Sequence, residues 1–450
     1  MGNGCDLAIV GAGAAGLAAA IFAAAEARAA GGPGIEIVIL ESAIKVGAKI
    51  LISGGGRCNI TNSEVRPEDF NGARNPIRNI LAAFDQHAAS SWFESIGVRL
   101  KREDGGKLFP VSDRARTVVD ALVGRCNLLG VRILTGRRVD SIERLPAETL
   151  EGGDADRCAR RFAIHYRDGE LAAHSVVLAT GGRSLPRTGS DGSGWEVIAR
   201  LGHTVTKTHP ALVPLKLHQD LFHAELSGLS LNVELTVIAD ERVIDRRVGS
   251  LLWTHFGISG PVVMDASRHW IAAQSRSVGA NVRMRCNFMP GYDRAAAEAW
   301  LLKVAAAHPR MALRHLLAER ISERLGAALA RFCAIDCSLP AGQLPRAQRR
   351  RLIEALVAFE APIIGDRGWD FAEVTAGGVP LAEIDYRTME SRRVPGLFVI
   401  GEMLDCDGRI GGYNFQWAWT TGFLAGRAAA RTIARSRSVS AIRVPGPSRI

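Results

Sequence analysis

Apolar positions along the chain fall into short blocks, and their period changes twice. Residues 5–10, Cys-Asp-Leu-Ala-Ile-Val, are nearly all apolar over one strand's length, the pattern of a strand buried on both faces of a parallel sheet. A glycine-rich step at 11–16 separates this block from the Ala-rich stretch 17–30, which reads as a helix. Ile35 to Leu40 reads as a second buried strand. Residues 137–180 predict a β-meander: Arg137 to Leu145, a Gly- and Asp-rich loop, Arg161 to Tyr166, the Asp168-Gly169 turn, then Leu171 to Thr180. Strands dominate from Pro210 to Phe288, for example Leu212 to Leu217, Leu229 to Ile238 and Val282 to Phe288. The spacing then becomes helical over 293–333 and 346–359, broken at Pro309 and at 338–342. Gly396 to Ile400 form a last buried strand, and Gly411-Gly412 open a helix carrying Trp417, Trp419 and Ala428.

At roughly 150 residues per domain, 450 residues allow about three domain-sized units. With 47% hydrophobic, 23% charged and 6% aromatic residues, the chain is neither collagenous, nor disordered, nor a disulfide scaffold. The net charge is +10, nearly all of the bases being Arg. From Lys303 to Arg351 there are ten bases and three acids, so this helical stretch holds most of the excess. An RNA partner is one reading of that excess, and a solvated Arg-rich face is the plainer one. The eight cysteines include no CxxC pair and no metal-ligand spacing, which fits free thiols in a reducing compartment and no metal. Leu7 to Ala25 is uncharged for 19 residues, yet it is Gly- and Ala-rich and preceded by Asp6, unlike a membrane span or a secretory signal. Asp6 also stands where an acylation signal after Met1-Gly2 would want Ser or Thr. A cytoplasmic protein without membrane attachment is expected.

The strand–GAGAAG–helix unit at 5–30 carries the first chemistry. Gly11 would make the tight turn, Gly13 would let backbone approach a pyrophosphate, and Gly16 would let helix and strand pack, with Ala14 and Ala15 in the helix's first turn. Glu41 follows the second strand at the place of an acid that accepts from ribose hydroxyls, with Ser42 beside it. Such an acid would repel a 2′-phosphate, so the ligand is FAD or NAD rather than NADP. The segment 47–62 adds Gly54, Gly55 and Gly56, expected as a loop flat against a ring or diphosphate, followed by Arg57, Cys58, Asn59 and Asn62 as donors. Thr180, Gly181 and Gly182 end the meander. Gly401 and Glu402 end the last strand, and Gly411 and Gly412 start a helix whose dipole would favour an anionic reduced flavin.

Together GAGAAG at 11–16, ISGGGRCNITN at 52–62, ATGG at 179–182, THFGISGP at 254–261, TAGGV at 375–379 and GEMLDCDGRIGGYNFQWAWTTG at 401–422 resemble the HI0933/YhiN-like family of bacterial flavoproteins, NAD(P)/FAD-dependent oxidoreductases of BaiN-like type. The resemblance covers residues 5–430. It implies an α/β fold: a Rossmann-like FAD-binding domain of glutathione reductase/fumarate reductase type, interrupted by an inserted β-barrel plus helical subdomain. On the sequence blocks, residues 1–192 and 368–450 form the discontinuous FAD-binding domain. The insert is 193–367, its barrel 205–290 and about 355–367, its helical subdomain 291–354. Glu402 would then serve the ribityl hydroxyls, and FAD is expected to be noncovalent, since no His or Tyr is placed for a tether.

Other chemistries lack their signatures. No second GxGxxG with its own strand and acid follows, so NAD(P)H, the expected donor, would visit the flavin without a Rossmann site of its own. There is no CxxxxC disulfide, and GISGP at 257–261 lacks the GxSxG spacing of a hydrolase elbow. The expected catalytic groups are Arg57, His255 and Cys58, with Tyr413, Asn414 and Gln416 on the isoalloxazine edge. Three functions stay open: an FAD-dependent reductase of a small-molecule double bond, a flavin-dependent reductase of a pyrimidine base in RNA, and a flavin-holding protein without turnover.

Overall fold

The computed structural model describes residues 4–31, 34–146, 161–276 and 281–442, with side chains through residue 438 in the last stretch. The Gly31–Gly34 turn lies partly outside this set. Most of the first meander loop, Cys158 and residues 443–450 lie outside it too. Two compact units emerge: Met1–Thr208 together with Val374–Ile450, and His209–Glu373.

The first unit is built on strands β1 (Gly4–Val10), β2 (Ile37–Leu40), β3 (Arg132–Leu134), β4 (Val139–Arg144), β5 (Phe162–Tyr166), β6 (Gly169–Leu178) and β7 (Leu397–Val399). The parallel ladder runs β7-β6-β1-β2-β3, extended beyond β7 by the short antiparallel strands Glu390–Ser391 and Ile384–Asp385. The first half of β6 pairs antiparallel with β5, and β5 with β4, which is the expected meander. Register places Val10, Leu40, Leu178 and Val399 in one row across the sheet. The residues that follow, Gly11, Glu41, Ala179 and Ile400, therefore share one rim. That rim is the carboxyl end of the strands, where the connections reverse between β1 and β6 and where such sheets bind ligands.

Helix α1 (Ala14–Ala29) leaves this rim and packs on the sheet. Leu17, Ala18, Ala19, Ala20 and Ala23 are completely buried, so the uncharged run is that of a helix enclosed by protein. Two further helices frame the rim: the short, kinked α2 (Ala48–Gly56) and the 30-residue α3 (Tyr413–Ile442). A Cβ at Gly422 would lie 2.8 Å from the Ala15 carbonyl oxygen, and one at Gly426 would lie 2.3 Å from that of Ala19. α1 and α3 thus meet backbone to backbone. The helix Ser193–Arg200, assigned to the insert from the sequence, is tied to this unit by the Trp195 indole, which donates to the Met403 carbonyl at 3.1 Å.

The second unit holds a seven-stranded sheet in the order Phe359–Glu360, Val282–Asn287, Ser230–Ala239, Arg242–Thr254, Gly257–Ser259, Leu215–Leu217, Ile363–Asp366. Its ladders are antiparallel. The two edge strands are joined by residues 361–362. The expected helical run 293–333 is three helices, Arg294–Ala307, Leu313–Leu317 and Glu323–Phe332, because the chain breaks at residues 318–322 as well as near Pro309. Pro261–Gln274, read from sequence as part of a strand region, is a helix with Pro at its start. Its buried Val262, Val263, Ala266 and Trp270 sit in the core with Trp253, Leu235 and Val237 of the sheet. Among the described residues no helix is long and apolar enough to cross a membrane, and no His/Cys/Asp/Glu group could hold a metal.

Candidate functional site

The rim of the first unit collects most of the residues singled out from sequence. Gly11 has φ +105°, and a Cβ there would sit 2.4 Å from the Ala179 carbonyl oxygen. A Cβ on Gly16 would lie 1.9 Å from the Gly11 carbonyl oxygen. Both glycines are therefore packing requirements. Gly13 differs: it is the N-cap of α1, no side chain caps that end, and a Cβ on it would meet nothing within 4 Å. Bare helix N–H groups facing open space are what a diphosphate needs.

Glu41 is 8% exposed beside that opening. Its Oε2 accepts from the Ala12 amide at 2.6 Å, and its Oε1 accepts from the Ala43 amide at 2.8 Å and the Ser42 hydroxyl at 3.3 Å. A carboxylate offers about four acceptor sites. One therefore remains for a ribose hydroxyl.

The SGGGRCN segment is only partly the loop expected. Residues 48–56 are helical up to a kink, where Gly54, Gly55 and Gly56 take φ of +55°, +68° and +84°, a succession that glycine alone adopts without strain. Beyond it Cys58, Asn59, Ile60, Thr61 and Asn62 are buried, so the expected loop is confined to the glycines and the chain then runs into the interior. Asn59 Oδ1 is buried without a hydrogen-bond partner among the described residues, an acceptor awaiting a donor. Asn62 Nδ2 donates to the carbonyls of Gly105 and Gly411, at 3.0 and 3.1 Å, pinning the turn before α3.

Glu402 stands at the centre of a group that sequence reasoning missed. Lys49 Nζ donates to Glu402 Oε2 and to Ser184 Oγ, both at 2.5 Å. Ser184 Oγ donates to Glu402 Oε1 at 2.7 Å, and the Thr375 amide donates to the same oxygen at 2.8 Å. A Cβ on Gly182 would fall 2.4 Å from Thr375 Oγ1 and 2.9 Å from Glu402 Oε1, so the glycine makes room for the cluster. Gly401 is held by α3: Trp417 Nε1 donates to its carbonyl and its amide donates to Thr421 Oγ1, each at 3.1 Å. Gly181 has φ +77° against Ser190, whose hydroxyl donates to the Gly182 carbonyl at 3.0 Å. Thr180 Oγ1 is buried next to Gly194, where a Cβ would lie 1.9 Å away.

At the start of α3, Gly411 and Gly412 have φ of +132° and +98°, and a Cβ on Gly412 would strike the Thr61 backbone at 2.5 Å. Two expected ring contacts are corrected here. Gln416 is fully buried: its Nε2 donates to the Phe84 carbonyl at 2.8 Å and its Oε1 accepts from Thr61 Oγ1 at 2.7 Å, so its amide ties α3 to the protein interior. Asn414 spans the turn, accepting from the Gly408 amide at 2.8 Å and donating to the Gly408 carbonyl at 2.9 Å. Tyr413 lies edge-on to Phe70 with centroids 6.1 Å apart.

The three expected catalytic groups are differently placed. Arg57 donates from Nη1 to both oxygens of Glu103, at 2.9 and 3.1 Å, and approaches Asp113 at 3.5 Å, with its guanidinium 4.1 Å over the Phe109 ring. It is thus ion-paired rather than a free cation, on an open cleft of about 330 Å³ lined by Arg57, Glu103, Asp104, Lys107 and Phe109. Cys58 is completely buried, and burial pushes its thiol up to about 12. A thiol held in this form is a weak nucleophile. His255 belongs to the second unit, exposed on the turn between Arg242–Thr254 and Gly257–Ser259, with its ring against Phe256.

FAD fits these residues. The open space at Gly13 and the uncapped end of α1 suit its diphosphate. Glu41 suits its adenosine ribose, and the orphaned Asn59 Oδ1 offers a donor on the cofactor an acceptor. Comparison with known proteins agrees. A family model described as the HI0933-like protein Rossmann domain matches residues 5–428. The 3-dehydro-bile acid delta(4,6)-reductase of Clostridium scindens is 34% identical over 423 residues, 94% of this chain and 98% of that protein. A ribosomal RNA dihydrouridine synthase of Escherichia coli is also 34% identical, over 420 residues, 92% of this chain and 96% of its own. Among solved structures, the 3-ketosteroid delta1-dehydrogenase of Sterolibacterium denitrificans shares the fold, with TM-score 0.50 at 14% identity, covering 96% of this chain and 100% of that one. With its glycine-lined rim and full-length relatives, the chain belongs to the HI0933-like family of bacterial flavoproteins, FAD-dependent oxidoreductases built on a Rossmann-type domain.

Proposed function

We propose that this chain is an NAD(P)H-consuming reductase of a carbon–carbon double bond conjugated to a carbonyl group in a small molecule. The cofactor half of the reading is carried by one observation: the uncapped N-terminus of α1 at Gly13, open to solvent at the carboxyl ends of β1 and β6. The substrate half is supported by the names of two relatives, a delta(4,6)-reductase of a 3-dehydro bile acid and a dihydrouridine synthase. Both names describe adding two hydrogens across an alkene made electron-poor by a nearby carbonyl.

Bound FAD supplies two-electron hydride chemistry. The residues of the chain hold and bias it. The amides of Ala14, Ala15 and Gly16 would take the diphosphate, Glu41 and Ser42 would take the adenosine ribose, and the backbone of Thr180, Gly181 and Gly182 would flank the cofactor. α3, opened by Gly411 and Gly412, brings the positive end of its dipole to the same rim, which favours electron-rich ligands there. Arg57, fixed by Glu103, is the proposed polar group toward the substrate carbonyl. His255 is the proposed proton donor.

Anaerobic mixing of the yellow protein with NADH or NADPH, followed by a 3-oxo-Δ4 steroid acid or a uridine-containing RNA, tests the reading. Bleaching by one nicotinamide and recovery of colour with the enone is the expected result. Recovery with neither acceptor would sink the substrate class.

A second reading, reduction of a pyrimidine in RNA, is favoured by the second unit's surface. Of the ten bases from Lys303 to Arg351 all but Arg349 are exposed. Arg349 pairs with Glu298 and Arg331 with Glu225, whereas Arg310, Arg346, Arg350 and Arg351 make no ion pair among the described residues. Replacing Arg346, Arg350 and Arg351 by Gln should weaken RNA binding and flatten its salt dependence, each duplex phosphate contact releasing about 0.9 counterion. The flavin content should not change. A wild-type protein that shows no salt-sensitive RNA binding would leave these arginines as a solvated face.

A further inference from the structure

The rim of the first unit prepares for an anion, yet it also carries an acid. Gly401 packs so closely on α1 that a Cβ there would lie 2.9 Å from the Ala15 Cβ, which puts the adjoining Glu402 beside the helix's first turn. The carboxylate cannot swing away, because the Thr375 amide and Ser184 hydroxyl hold Oε1 at 2.8 and 2.7 Å. Those two donors are neutral. Left with them alone, the residue next to Gly401 would carry an uncompensated negative charge on the segment that packs against the helix meant to receive a diphosphate.

We propose that Lys49 is the charge-balancing residue of the cofactor site, its ammonium offsetting Glu402 so that the Gly401–Glu402 segment presents no net negative charge to an anionic ligand. Lys49 and Glu402 are 353 residues apart in sequence and form an ion pair at 2.5 Å, with side chains 26% and 19% exposed. The ammonium also donates to Ser184 at 2.5 Å, so one cation aligns α2, the loop after β6 and the segment after β7. Arg183 is a further charged residue beside this cluster, its amide donating to Thr375 Oγ1 at 2.8 Å. Lys49 acts through Glu402 and is a positioning residue. This inference rests on the FAD reading above.

The test reconstitutes apo-protein with FAD and follows affinity by flavin fluorescence and midpoint potential by dye equilibration, with thermal melting of the apo-protein as control. Four proteins are compared: wild type, Lys49→Arg, Lys49→Met, and Lys49→Met with Glu402→Gln. Lys49→Met should weaken FAD binding by about tenfold or more, a coupling of ordinary size between charged sites. Its potential should fall, because the more negative reduced cofactor suffers more from the exposed carboxylate. Lys49→Arg should retain both values. The double variant, which keeps none of the lysine's hydrogen bonds but restores neutrality, should bind FAD more tightly than Lys49→Met and regain part of the lost potential, although it gives up the Glu402 carboxylate. A double variant no better than Lys49→Met, or a Lys49→Met protein that binds FAD like wild type, overturns the proposal. Wild-type protein that binds no FAD overturns the cofactor reading with it.

Discussion

Gly13 and Gly16 stand three positions apart and refuse a side chain for opposite reasons. At Gly16 the space is filled by the Gly11 carbonyl, and at Gly13 it is empty. Gly13→Val should therefore fold but lose bound FAD by more than about tenfold, since its branches would occupy the room a pyrophosphate takes. Flavin absorbance per polypeptide and far-UV circular dichroism would check the two halves of that expectation. Gly16→Val should instead melt early. Arg57→Ala and His255→Ala should each slow turnover by about a hundredfold, the usual loss on removing an oriented polar group, with FAD content intact. Full turnover in both variants would place the chemistry elsewhere. At this scale Gly11, Gly13, Gly16 and Glu41 were legible, because local spacing encodes a βα turn. Lys49, Ser184 and Thr375 were not, because their partner Glu402 is brought to them only by sheet register. The burial of Cys58 and Gln416 was hidden for a related reason: residue type alone does not disclose it.

Elements were readable where their period was clean. β1, β2, the meander and β7 fell within a few residues of the expected ranges, because a strand buried on both faces leaves an unbroken apolar block. The helix Pro261–Gln274 was missed since its Val262-Val263-Met264 start imitates a strand. The seat of α3 on α1 was hidden as well, as Gly422 and Gly426 acquire meaning only opposite Ala15 and Ala19. Gly426→Val should lower the melting temperature sharply, since its Cβ would meet the Ala19 carbonyl oxygen at 2.3 Å. Overpacking of this kind typically costs about 1–3 kcal/mol, more when backbone must move. Urea unfolding of the variant measures it. Because α3 also carries Trp417 and Thr421, which fix Gly401, FAD affinity should fall in parallel. Lost stability with unchanged affinity would disconnect the helix pair from the site.

Within the first unit, Glu383 joins segments distant in sequence through Thr204, His203 and Arg393. Burial alone would raise the Glu383 carboxyl, but Arg393, Thr204 and His203 outweigh it and hold the group at about 2. A carboxyl held below its ordinary value stabilises the fold above about pH 4.5 and loses that contribution as pH falls toward 2. Glu383→Gln should therefore be less stable than wild type at pH 7 by about 3 kcal/mol at most, and the gap should close between pH 4.5 and 2. Urea titrations across that range would show it, and a pH-independent gap would contradict it. In the function proposed here, the rim where β1, β2, β6 and β7 end binds FAD, and the flavin exchanges hydride with a nicotinamide. Anaerobic titration of the purified holoprotein with NADH and NADPH, read at the flavin absorbance band, tests it most directly. Stoichiometric bleaching by at least one of the two is expected. A yellow protein that neither bleaches, or a protein that releases no FAD on denaturation, would contradict it.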